Sequence, residues 1–182
     1  MPHQFMTDYV DDSLAVFHAY KSQAEKSMAQ ISDEEFFRQI DPESNSVAII
    51  VKHMAGNMRS RWTDFLNSDG EKPSRDRDGE FIEAGASRAD YMKQWNEGWQ
   101  LVFDALEPLS NADLATKVEI RGEPHSVMQA INRQVAHYAN HIGQIILLCK
   151  HYKVADWQTV SVPKNKSREF NAAVARGEKS QR

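Results

Sequence analysis

Apolar residues return at helical spacing in four long stretches of this chain and almost nowhere else, a pattern that leaves room for little but packed helices. In the first, from about Thr7 to Ile31, Val10, Leu14, Phe17, Ala24, Met28 and Ile31 form the stripe. The second begins near Asn45 or Ser46 and reaches about Leu66. Its Val47, Ile50, Val51, Met54, Met58, Trp62 and Phe65 fall within about 120° of arc at helical pitch. The third opens at Ser87-Arg88-Ala89-Asp90, where the serine oxygen can satisfy a free backbone N–H, and carries Tyr91, Trp95, Trp99, Val102 and Leu106 to about Leu109. Ser126 and Gln129 form a matching capping box for the fourth, which buries Ile131, Val135, Tyr138, Ile142, Ile145 and Cys149 and ends near Lys153. The fold class expected is all-α.

The connections are less regular. Ser32-Asp33-Glu34-Glu35 reads as a cap and a short helical turn, and Asp41-Pro42 breaks the chain. Residues 67–87 are polar and carry Gly70, Pro73, Gly79 and Gly85, so they read as a long loop. The alternating charges Glu71, Lys72, Arg75, Asp76, Arg77 and Asp78 suggest a solvated surface. Loops of that length are nevertheless uncommon unless they serve binding. Val118-Glu119-Ile120 and Arg121-Gly122-Glu123-Pro124 suggest short extended segments, a hairpin joined at a glycine turn, before the last helix. Beyond Trp157 the tail Ser161 to Phe170 has no periodicity and is expected to form an extended C-terminal strap, frayed after Ala175.

At 182 residues the chain, 1–182, is expected to be a single domain with a core that needs no structural metal. A net charge of -4 and a pI near 6.0 argue against nucleic acid as a partner. No wholly apolar run is longer than that of Ile145 to Cys149, far too short to span a membrane, and the N-terminus does not resemble a signal peptide. One cysteine, Cys149, allows no internal disulfide and fits a reducing, cytoplasmic setting. Its place on the buried stripe makes it a packed thiol rather than a nucleophile.

The chemistry-bearing residues are histidines. His137 and His141 stand one turn apart on the rim of the fourth stripe, where two imidazoles can grip one ion. His151 shares their angle but lies about 15 Å along the axis. His125 precedes the helix, and His3 belongs to a terminus. For a third ligand His18 and His53 remain. His18 stands beside Lys21, which would repel a cation, whereas His53 shares an edge of the second helix with Ile49, Asn57, Ser60 and Asp64, and is preferred. Asn57, Arg61 and Arg133 lie one or two turns from these histidines and could orient a substrate or bind an anion, with surface solvation the plainer reading.

The stretch Asn45 to Met58, with Arg61-Trp62-Thr63-Asp64-Phe65-Leu66, resembles the second helix of an uncharacterised family within the DinB-like (YfiT-like) metalloenzymes. Asp69-Gly70-Glu71-Lys72-Pro73, Arg121-Gly122-Glu123-Pro124-His125, the helix around His137 and His141, and Ser161-Val162-Pro163-Lys164 carry the same resemblance over nearly the whole chain. It implies an up-down-down-up four-helix bundle, commonly a homodimer, with a divalent metal held by one histidine of the second helix and two of the fourth. Those positions are His53, His137 and His141 here.

Three neutral imidazoles leave an ion its full charge and an open position, as in catalytic sites. All-histidine ligation suits zinc or nickel, and iron or copper also. Such an ion can lower the pKa of a bound water towards 7, which gives a hydrolase, or hold a thiolate. DinB-like relatives include transferases and isomerases that use low-molecular-weight thiols, so an S-transferase acting on a small molecule stands beside hydrolysis. Glu123, Asp64 and His125 are the candidates for a general acid or base. The alternative is a non-catalytic bundle, a stress or interaction protein that binds metal incidentally.

Overall fold

The carboxylate of Asp8 accepts from the Val10 and Asp11 amides and starts α1, Tyr9–Met28. This computed structural model describes residues 8–180; His3 and the Thr7 start expected for the first helix lie outside them. Ser32 and Glu35 close a reciprocal capping box on the short α2, Asp33–Phe37. Ser46 caps α3, Val47–Trp62, by accepting from the Ile49 amide. The capping boxes expected at Ser87 with Asp90 and at Ser126 with Gln129 open α4, Arg88–Leu106, and α5, Val127–Lys153.

Between α4 and α5, β1 (Lys117–Ile120) pairs antiparallel with β2 (Glu123–Ser126), Ile120 facing Glu123. Arg121 and Gly122 make the turn with φ of 58° and 73°. Two successive left-handed residues match the twist of a two-residue hairpin, and glycine bears that conformation without strain. The chain is therefore mostly helical, with one small two-stranded sheet among the described residues.

Helix α3 lies against α4 and α5, and α1 against α5 and α4. Each of these four contributes one ring to a central aromatic cluster: Phe17, Trp62, Trp99 and Tyr138. Phe17 stands 6.3, 6.1 and 5.6 Å, centroid to centroid, from Trp62, Trp99 and Tyr138. Burial of such rings supplies most of the apolar contribution at this depth. Trp62 Nε1 donates to the Tyr138 hydroxyl at 2.9 Å, which donates to Asn57 Oδ1 at 3.2 Å. This chain of bonds ties α5 to α3 beside His137.

Two expectations are corrected. The tail is not an extended strap throughout: after Lys166 it forms α6, Ser167–Ala175. Phe170 with Ala173 and Val174, three and four residues on from it, turns inward and gives that helix an apolar face too short to stand out as a period. The loop 67–87 is a solvated surface only in part: Asp76, Arg77 and Asp78 are exposed as expected, but the loop also reaches inward. The side chains of Arg75 and Glu80 are only 5% and 8% exposed, because each charge finds an opposite one inside the fold. No helix of the described residues is long and apolar enough to cross a membrane.

Candidate metal centre

Helix α3 supplies His53, and α5 supplies His137 and His141 one turn apart. The structure brings the three together: one ring nitrogen from each lies within 4.8 Å of the others, a cluster that could hold a metal ion. Nε2 of His137 stands 3.3 Å from Nε2 of His53 and 3.1 Å from Nε2 of His141. The three rings meet edge to face, with interplanar angles of 86°, 68° and 83°.

Each opposite ring nitrogen meets an acceptor. His53 Nδ1 lies 2.9 Å from Glu80 Oε2, His137 Nδ1 3.2 Å from Gln134 Oε1, and His141 Nδ1 2.8 Å from Gln144 Oε1. An ionised carboxylate and an amide oxygen can only accept, so the single proton of each neutral ring belongs on Nδ1. Three Nε2 lone pairs are then left facing one another. At 3.1–3.3 Å they repel unless a proton or a cation comes between them. Burial, then the charges at His141, His53, Arg61 and Arg75, push His137 down to about 3. Burial also lowers His141, against the opposing bond to Gln144. Neutral imidazoles with converging Nε2 atoms and outward Nδ1–H bonds are the donor set a divalent ion takes, so the residues fit.

Glu80 was not legible as part of this site. It sits in a single 3₁₀ turn, Gly79–Phe81, inside the loop. Arg75 clamps it with Nε to Oε1 at 2.8 Å and Nη2 to Oε2 at 2.9 Å. Burial pushes the Glu80 carboxyl up, but the bonds from His53 and Arg75 and the Arg75 charge outweigh that and hold it below the usual range. The signal for this contact was Gly56, a mid-helix glycine one turn after His53. A Cβ there would lie 2.2 Å from Glu80 Oε1, so only glycine admits the carboxylate. Phe81 stacks on His53 at 4.6 Å and covers one face of the ring.

A cavity of about 290 Å³ opens beside the three histidines, and Asn57, Arg61 and Arg133 line it. Asn57 and Arg61 are buried, which overturns the surface-solvation reading for those two, whereas Arg133 is exposed. Arg61 Nη1 donates to the Gly70 carbonyl and lies 3.0 Å from Glu71 Oε2. The candidate acid–base groups Glu123, Asp64 and His125 are not on the cavity wall. His125 Nδ1 instead turns to the Glu123 carbonyl at 2.9 Å. His18 stacks on Phe103 at 4.0 Å, away from the cluster. Cys149 is buried, and burial pushes its thiol up to about 12, which keeps it protonated.

Fold and site together define a mostly helical protein with a three-histidine cluster able to hold a metal ion. The chain belongs to DUF1572, a family of proteins of unknown function, whose profile matches residues 4–166. No curated protein matches it.

Proposed function

We propose that this chain is a DinB-like metal-dependent enzyme, a hydrolase or a low-molecular-weight-thiol S-transferase, with His53, His137 and His141 as its metal ligands. In this reading α1, α3, α4 and α5 form an up-down-down-up four-helix bundle that works as a cytoplasmic homodimer. The observation that carries the reading is the arrangement of the three imidazoles, each with Nδ1 turned to an acceptor and Nε2 turned to a shared point at the mouth of a cavity.

When bound, a divalent ion supplies Lewis-acid chemistry: it polarises a substrate oxygen and makes water or a thiol nucleophilic near neutral pH. The protein does the rest. Glu80, Gln134 and Gln144 fix the tautomer and the angle of each ring. Arg75 keeps Glu80 ionised and immobile. Phe81 screens His53 from water. Among the described residues no aspartate or glutamate lines the cavity, which suits a nucleophile activated without a carboxylate base.

Elemental analysis of protein purified without a histidine tag tests this directly. The expected result is about one zinc, nickel, iron or copper per chain, lost in His53→Ala, His137→Ala and His141→Ala. The loaded protein would then hydrolyse ester, amide or phosphoester substrates, or transfer a small thiol, in a panel where the three variants are inactive. Wild-type protein that takes up none of these ions after dialysis against them rules the enzyme reading out.

A further inference from the structure

The cavity beside the histidines is more cationic than metal binding requires. Five arginines from four segments share its wall: Arg61 of α3, Arg75 and Arg77 of the loop, Arg121 of the hairpin turn and Arg133 of α5. Two carboxylates behind the wall answer them. Glu71 Oε2 lies 3.0 Å from Arg61 and 3.3 Å from both Arg75 and Arg121, and Glu80 is taken by Arg75. Arg133 has no carboxylate partner among the described residues. Arg77 lies over the Phe81 ring at 5.4 Å, and its nearest carboxylate, Asp78 at 3.9 Å, has a side chain that is 98% exposed. Arg61 is 4% exposed, yet its Nε–H has no acceptor among the described residues. Holding guanidinium groups in surplus around a partly buried site costs stability, and the cost is recovered when the missing negative charge arrives with a ligand.

We propose that the cavity takes a small organic oxyanion, its carboxylate or phosphate group seated on Arg61, Arg77, Arg121 and Arg133. Guanidinium groups present paired N–H donors that match both kinds of oxyanion. A volume of about 290 Å³ is at the small end for ligand sites and suits a metabolite rather than a peptide. This inference rests on the metal-enzyme reading only for what the histidines do to the remainder of the substrate. The oxyanion seat is built by arginines and forms without an ion.

Isothermal titration of the chelator-treated full chain with inorganic phosphate and with malonate, in chloride at constant ionic strength, tests it. At least one anion binds with saturation, and Arg133→Gln and Arg77→Gln each weaken binding by about tenfold or more. Arg59→Gln, which removes an exposed arginine paired with Glu97 away from the cavity, changes it by less than about twofold. Phosphate alone indicates a phosphate ester as substrate, malonate alone a carboxylic acid, and both a seat that recognises charge whichever group carries it. No binding above chloride, or binding that Arg133→Gln and Arg77→Gln leave unchanged while circular dichroism shows them folded, overturns the proposal. Oxyanion binding by protein that takes up no metal would support the seat while refuting the metal reading, so the two fail separately.

Discussion

Opposite the histidine-bearing faces of α3 and α5 stands the segment 67–87, and the two sides of the cavity hold their shape by different means. The helical side is fixed mainly by apolar packing: Phe17, Trp62, Trp99 and Tyr138 interlock, and the Trp62–Tyr138–Asn57 bonds add a polar tie. The loop side is fixed by charge and hydrogen bonding. Lys52 Nζ donates to the Gly79 and Ile82 carbonyls at 2.7 and 2.8 Å, Ser60 Oγ donates to the Gly70 carbonyl at 2.7 Å, and Arg75 joins Glu71 to Glu80. Asp69 then accepts from the Arg121 and Gly122 amides at 2.8 and 2.6 Å and draws the hairpin to the same wall. Apolar packing carries no charge to be screened, whereas a wall of ion pairs weakens as ionic strength rises and responds to the charge of a ligand. The helices therefore set where the Nε2 atoms meet, and the loop sets the field around them.

The comparison would break first at the core. Trp99 is fully buried and its Nε1–H has no partner among the described residues, so its contribution is packing. Trp99→Ala is expected to lower stability by about 3–5 kcal/mol in chemical denaturation, while folded protein keeps its metal content. A small loss would mean that the charged wall, not the aromatic cluster, carries the fold.

Acid gives the next largest effect. His137 titrates near 6.5 when unfolded and at about 3 when folded, so between those values only the unfolded chain binds the proton. Stability of the metal-free protein therefore rises with pH across that window and is lost as pH falls through it. The slope attributable to one proton is at most about 1.4 kcal/mol per pH unit. Denaturation of wild type and His137→Gln at a series of pH values isolates it: the variant should be flatter from pH 6.5 downwards. Parallel curves would show that the ring is not held neutral by its surroundings.

The same division explains what the sequence reveals. Positions on the helical side are periodic, so Val47 to Trp62, Tyr91 to Leu106 and Ile131 to Cys149 announce their inward faces, and His137 and His141 are seen to share a rim. The hairpin shows through Val118 to Ile120 and Gly122 because alternation and a left-handed turn have local signatures. Arg75 and Glu80 have none. Their burial depends on partners 4 to 27 residues away, and a run of mixed charge looks the same whether water or an opposite charge neutralises it. Asn57 and Arg61 lie one and two turns beyond His53 on α3, and they read as solvated because nothing in the helix says that a loop will cover them. Phe170, Ala173 and Val174 are too few to mark α6.

The smallest effect joins the two walls. Gly56 lies on the helical side, and a Cβ added there would stand 2.2 Å from Glu80 Oε1 and 2.7 Å from its Cδ. Glu80 has no free direction to yield, since Arg75 holds both its oxygens and His53 faces one of them. Gly56→Ala should gain about 1 kcal/mol in helix propensity but lose more than that in displacing Glu80 from Arg75 and His53, for a net destabilisation of about 1–2 kcal/mol. Metal affinity should also fall by roughly tenfold or more, because His53 loses the acceptor that orients it. Glu80→Gln, which keeps an acceptor for Nδ1 but removes the charge, should lose about 10- to 100-fold. Competition with a chromophoric chelator measures both. If Gly56→Ala is stabilised and binds metal as wild type does, the loop covers the site without tuning it, and the two walls act independently.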